Sequence, residues 1–410
     1  MTRERHLAKV ISEKEFIPKL KKKARRLFFL GTLLIEKKQL SQEYYSNLES
    51  EAHSLETFLD NYKARGNRTF VFFTELVASL RWIAKAVHTL KHILNRYTSY
   101  GLKENEKFFN EVEQTIQLCH GALLELYKNL REEAHSLDVS FPLYSLKKED
   151  FIKKEAEEYL VQDIDEVYCI NKGENITEIT FRYVDAAEKL CELLRKKESP
   201  TEDEIEELMS AFHRIQSKYD SYIKGGEEEK KDKRLSLLRG YISISLHLLE
   251  AALYLSHFYE RHANGERLIG PQKRVSEIVD PRNIKEKVNI LLSYARDYAL
   301  EGDKLARKFL KSYADMTLTR EIITIPKGSI LHLRPASALV EPVIRCNSPV
   351  LLEIDGKRVR ANSVLEIIAV MGEVADKIKE NDVEMVLQGD REVVKKMKEN
   401  FLSKILETKV

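Results

Sequence analysis

Several things are scarce in this chain of 410 residues, and each scarcity excludes something. There are only four cysteines, Cys119, Cys169, Cys191 and Cys346, far apart and with no CxxC pair, so neither a disulfide framework nor a thiolate zinc site is expected. No apolar run is long enough to span a bilayer. The closest, Ser243 to Phe258, is interrupted by His247, Glu250 and His257, which argues against a membrane protein. The start, Met1-Thr2-Arg3-Glu4-Arg5-His6, leads into mixed charge instead of an apolar core, so no secretory leader is expected and a reduced, cytoplasmic location follows. A surplus of one charge is missing too. Lys plus Arg is 68 against 66 for Asp plus Glu, and nucleic acid as main partner would need a strong basic excess. Finally, no two helices each supply the Glu-x-x-His motif of a di-metal bundle, so no metal is expected.

What is present is charge and helical periodicity. Charged residues make up 33% of the chain and hydrophobic ones 43%, a helical profile whose Lys/Glu weight resembles that of thermophilic proteins. Ser12–Gln39, Ser41–Tyr62, Thr69–Ser99 and Glu104–Leu137 each place apolar residues at helical spacing. The turns near Gly66 and Gly101 are short enough for antiparallel neighbours. Thr69–Ser99 is apolar enough to be buried on most sides. Asp138–Gly173 is less regular. Helices resume over Asn175–Lys197, Thr201–Ile223, Leu235–Ala263 and Ile284–Ala314, with loops expected at Lys224–Arg234 and Gly265–Arg282.

At Thr319 the pattern changes. Arg320–Pro326 reads as a strand, and a helix follows from Leu333 to about Arg345. Val350–Ile354, Asp355-Gly356 and Lys357–Ala361 read as a hairpin with a type I′ turn. A helix from Ser363 to about Lys379, a strand over Val383–Gln388 and a helix over Arg391–Leu406 complete the order β-α-β-β-α-β-α. The expected architecture is multidomain. A mainly helical region falls into residues 1–140 and 141–318, and an α+β domain with an open-faced sheet occupies 319–410.

The chemistry concentrates at His332-Leu333-Arg334-Pro335-Ala336, the start of the first helix of that domain. Backbone N–H groups of a first helical turn have no intrahelical acceptor and favour an anion. Pro335 costs little there because its absent N–H had no partner. Arg334 offers a planar fork that fits phosphate oxygens. An imidazole at that point can accept a phosphoryl group and pass it on. The bland alternative is an ordinary loop histidine beside a helix.

This run, the sequence Asn362-Ser363-Val364-Leu365 after the hairpin, and the element order together resemble HPr, the histidine phosphocarrier of the sugar phosphotransferase system, over about a fifth of the chain. The resemblance implies an open-faced β-sandwich, His332 as the residue that carries phosphate, and Arg334 in support, with the Leu333 and Arg334 amides holding the charge. It implies an Enzyme I-like donor and an acceptor protein as partners, no cofactor, and docking through Leu333, Val364, Leu365 and Ile368. Ser363 is implied as a regulatory phosphorylation position, although Ser363-x-x-Glu366 also reads as a plain capping box. Ile330 stands where the family usually has glycine. Glu341-Pro342 falls in a helix that is basic in typical members, and Pro342 is expected to kink or shorten it. Those departures motivate a second expectation, a non-catalytic scaffold that keeps the fold. They also motivate an intramolecular helical partner covering the HPr-like face.

Three further signals are weaker. His88 and His92, one turn apart, suit either a metal or a buried hydrogen-bonded pair, and the second is favoured. Glu51-x-His53 and Glu133-x-His135 read as solvated faces. Arg65-Gly66-Asn67-Arg68-Thr69 could bind an anion or be a structural turn capped by Thr69.

Overall fold

The computed structural model describes residues 10–36, 40–139, 172–196, 199–263, 270–329, 333–346 and 350–406. Helices dominate up to residue 317: α1 (Glu13–Glu36), α2 (Gln42–Asn61), α3 (Val71–Arg96), α4 (Glu106–Ser136), α5 (Lys172–Arg195), α6 (Glu202–Tyr222), α7 (Glu227–Lys231), α8 (Arg234–Phe258), α9 (Pro271–Ile278) and α10 (Pro281–Thr317). Then come β1 (Leu318–Ile325), α11 (Leu333–Cys346), β2 (Leu351–Ile354), β3 (Lys357–Arg360), α12 (Val364–Glu373), α13 (Ala375–Glu380), β4 (Val383–Asp390) and α14 (Arg391–Leu406). Among the described residues no helix is long and apolar enough to cross a membrane.

Local chemistry sets many of these boundaries. The Ser41 hydroxyl accepts the Tyr44 amide at 3.2 Å and opens α2. At α6, Thr201 and Glu204 form a capping box: the Glu204 amide donates to the Thr201 hydroxyl at 3.3 Å and the Thr201 amide to the Glu204 carboxylate at 3.1 Å. Two expected loops contain helix. Lys224–Arg234 holds the short α7, stabilised by three acids in its first turn and two lysines in its last. Gly265–Arg282 holds α9, which starts at Pro271 directly after Gly270 at φ 60°. The less regular Asp138–Gly173 lies mostly outside the described residues.

The chain forms two compact units. The first takes α1 to α4, α8, α9, and the parts of α5 from Ala186, of α6 to Gln216 and of α10 to Gly302. Its centre is α3, which packs on α2, α4 and α8. This explains why α3 is buried nearly all round, from Phe73 and Leu76 through Leu80, Ile83 and Val87 to Ile93. Two glycines permit close approach. A Cβ on Gly31 would overlap the Tyr127 ring, and one on Gly240 would sit 2.1 Å from the Tyr100 carbonyl oxygen.

The second unit contains the remaining parts of α5, α6 and α10, all of α7, and everything from β1 onward. Its sheet is fully antiparallel in the order β1-β4-β2-β3. Alternate residues face the core: Ile323 and Ile325 on β1, Leu352 and Ile354 on β2, Val383, Met385 and Leu387 on β4. Against that face lie Leu339 and Val343 of α11, Ile367 and Met371 of α12, and Val394, Met397 and Phe401 of α14. The opposite face carries Arg320, Ile322, Thr324, Glu384 and Gln388, all exposed. Helices therefore cover one face of an open sheet.

The turn Asp355-Gly356 has φ 52° and 79°, both positive as a type I′ hairpin requires. Two expectations need correction. Of the kink or shortening expected at Pro342, the shortening does not occur: α11 runs on to Cys346, its apolar face from Ala336 to Val343 held in the core. The single helix expected from Ser363 to Lys379 is two, α12 and α13, divided at Val374 just after Gly372.

Candidate functional site

The residue that carries the sequence argument, His332, lies outside the described residues together with Ile330 and Leu331. Both sides of it are defined. On the approach, Gly328 has φ 74° and its amide donates to the Ile378 carbonyl at 2.8 Å. The Lys327 amide donates to the Asp382 carboxylate at 2.6 Å, and the Ser329 hydroxyl to the Pro326 carbonyl at 2.6 Å. The segment 326–329 is thus tied to the α13–β4 connection.

On the far side, α11 begins at Leu333, so the amides of Leu333 and Arg334 belong to its first turn and have no intrahelical acceptor. Pro335 takes the third position. Ala336 is fully buried, while Leu333 is 61% exposed and the Arg334 side chain is exposed as well. The helix is thereby anchored by its inner face and presents its start to solvent.

Ser363 caps α12. Its hydroxyl accepts the Glu366 amide at 3.4 Å, the cap half of the expected box. Leu365 is 79% exposed, whereas Val364 and Ile368 pack partly against the core. The residues assigned to docking therefore divide into Leu333 and Leu365 outside and Val364 and Ile368 leaning inward. At the hairpin end of the open face, a hollow mixes Glu353, Asp355, Asp382 and Glu384 with Arg320 and Lys377. Four acids against two bases leave it net negative, so it lacks the positive field a phosphate would need.

The helical unit answers the weaker signals. Arg65 is engaged and does not await an anion. It pairs with Glu56 at 2.6 Å, Asp60 at 2.9 Å and Glu75 at 3.9 Å. The cap of that turn is Asn67, not Thr69: its side-chain oxygen accepts the Thr69 and Phe70 amides at 2.8 and 3.1 Å. His88 and His92 both face Gln42, at 3.4 and 3.5 Å. Among the described residues no cluster of three or more metal-ligating side chains occurs. His53 and His135 are exposed. Cys119 is free and buried, and burial pushes its thiol up to about 12, which makes it inert.

Sequence reasoning missed a buried polar chain in this unit. Glu75, an acid in the apolar α3, accepts from His262 Nδ1 at 2.6 Å, and both side chains are almost fully buried. Through Arg65 and Glu56 the chain continues to Arg81, whose Nη1 lies 2.9 Å from Glu56. His262 sits in a π-helical turn, Tyr259–Ala263, that extends α8. Beside it, His257 stacks on Trp82 with ring centroids 3.7 Å apart and bonds Glu202 at 2.6 Å. A carboxylate interrupting the apolar run of α3 was the available signal; its partner, 187 positions away, was not.

No family model, curated protein or solved structure matches this chain. The function must therefore be argued from the residues themselves.

Proposed function

We propose that the C-terminal α+β domain is an HPr-related phosphocarrier or phosphorylation-dependent regulator, phosphorylated on His332. The observation that carries this reading is the place of His332 in the chain. It immediately precedes Leu333, the first residue of a helix with an exposed start and a buried inner face, in a domain of order β-α-β-β-α-α-β-α. In this reading His332 Nδ1 attacks the phosphorus of a phosphohistidine on an Enzyme I-like donor. The new N–P bond forms as the donor's breaks, and the donor imidazole leaves. The Leu333 and Arg334 amides and the Arg334 guanidinium offset the charge of the phosphoryl oxygens. An acceptor protein then takes the group by the reverse chemistry, or a partner senses it. The exposed Leu333 and Leu365 supply apolar contact for donor and acceptor.

Phosphorylation of Ser363 would place a dianion at the N-terminus of α12. That charge suits the helix end but adds negative potential to the docking surface. As a carrier the chain is not a turnover enzyme, and the reaction needs no cofactor.

The test is labelling of the full chain from phosphoenolpyruvate and Enzyme I, with acid lability as the mark of phosphohistidine. Label that disappears in His332→Ala supports the carrier. A second reading, a scaffold that keeps the fold without the chemistry, draws on Glu341, which is exposed on α11 and pairs with Arg345 at 3.6 Å, so this helix is not the basic surface typical of the family. It predicts no labelling of the intact chain.

A further inference from the structure

The four-stranded sheet ends in two very different edges. At one end β3 has four residues, and Lys357, Arg358 and Arg360 are cationic and exposed. Short length and like charge are the usual ways of keeping an edge from pairing with another chain. At the other end β1 has eight residues, and its run Ile322-Ile323-Thr324-Ile325 is uncharged and wholly β-branched. Among the described residues no strand pairs with the outer edge of β1. On the open face Ile322 is 49% exposed, although an isoleucine there gains nothing from water. One edge is guarded by length and charge, and the other carries neither safeguard along Ile322–Ile325.

We propose that β1 is the seam of a homodimer: it pairs antiparallel with β1 of a second copy, centred on Ile322, and joins two four-stranded sheets into one of eight strands.

The occupant and the register both follow from the strand itself. A two-fold axis normal to the sheet keeps the open faces of both copies on one side, so residues directly opposite must share a face. That condition allows Ile322 opposite Ile322, with Glu321 opposite Ile323 and Arg320 opposite Thr324. Centring the pair on Glu321 would set two carboxylates against each other, which is unfavourable. Centring it on Ile323 would shorten the pairing and set Arg320 against Pro326, which has no N–H to donate.

The Ile322 register uses residues 319–325 of both copies and opposes no like charges. It also extends a row already in the sheet. Ile322 lies beside Val386, so the seam would read Val386, Ile322, Ile322, Val386 across two copies. At each end Thr324 lies beside Glu384 in its own sheet. Arg320 of one copy then faces Glu384 of the other across a small residue, two strand spacings or about 9.6 Å away. Opposite charges thus meet at both ends of an apolar centre, a pattern that fits a second copy of this chain and is independent of any phosphoryl chemistry.

The experiment is sedimentation equilibrium of the full chain, intact and as Ile322→Lys and Ile322→Glu. Because Ile322 is on the open face, neither change disturbs the core, and circular dichroism melting verifies that. The intact chain is expected to dimerise. Each variant sets like charges opposite one another and is expected to weaken self-association by about tenfold or more. An equimolar mixture of the two variants is expected to restore a dimer, since lysine then faces glutamate. A monomeric intact chain, or variants that dimerise as well as it does, would overturn the proposal. Failure of the mixture to associate would overturn the Ile322-centred seam.

Discussion

At the scale of single residues, two kinds of charge behave differently here. The Glu75–His262 pair is buried, and a buried charge that loses its partner costs far more than an exposed one. Replacing His262 with alanine leaves Glu75 only its longer contact with Arg65 and is expected to destabilise the protein by about 1–3 kcal/mol, read as a lowered denaturant midpoint. Removing both members is expected to cost less than the sum of the single changes. Arg334 is exposed, and in the proposed carrier its role is the shape of its planar fork. Arg334→Lys keeps the charge but loses the fork, so it is expected to slow labelling of His332 without changing the melting temperature.

Glu202 gives a pH prediction. Burial raises its carboxyl, but hydrogen bonds from His257 and Arg261 outweigh that and hold it below its ordinary value of 4.5. A carboxyl depressed in the folded state stabilises above its unfolded value, and that contribution is lost as pH falls below about 4.5. Glu202→Gln is expected to be less stable at neutral pH and to show a flatter loss of stability through the acid range, measured by urea unfolding at several pH values.

At the scale of elements, caps and close contacts should dominate. Ser363→Ala removes the acceptor for the Glu366 amide and is expected to cost about 1 kcal/mol. Ser363→Asp keeps an acceptor and should retain that stability while altering labelling of His332, which separates the cap from any regulatory role. Gly240→Ala drives a methyl into the Tyr100 backbone and is expected to cost about 1–3 kcal/mol by thermal melting.

Element legibility followed the strength of local signals. The bounds of α14 and the type I′ hairpin were readable because apolar spacing and Asp-Gly speak locally. The glycines and charges around α7 and α9 resemble loop composition, yet Gly226 and Gly270 stand just before those helices rather than inside them. The break at Val374 was missed because a continuous apolar pattern spans it.

At the scale of the whole molecule, α10 carries the chain from the helical unit into the α+β unit without interruption. The two proposals rest on different parts of the second unit, the start of α11 and the outer edge of β1. Ile322→Lys is therefore expected to leave labelling of His332 unchanged, and His332→Ala to leave the dimer intact. Parallel labelling and sedimentation of both variants would expose any dependence of one property on the other.

By itself the sequence determined the change of class near residue 319 and, apart from the division at Val374, the order of strands and helices beyond it. These are local facts: a period of 2 or 3.6, a turn dipeptide, a cap ahead of a helix start. Only the tertiary structure decided that α8 packs on α3 within one unit, that Arg65 is consumed by Glu56, Asp60 and Glu75, that Glu75 meets His262, and that β1 is an edge strand while β4 is central. Those outcomes depend on which surfaces meet across hundreds of residues. Periodicity reveals that a face is apolar, but not which other face will cover it.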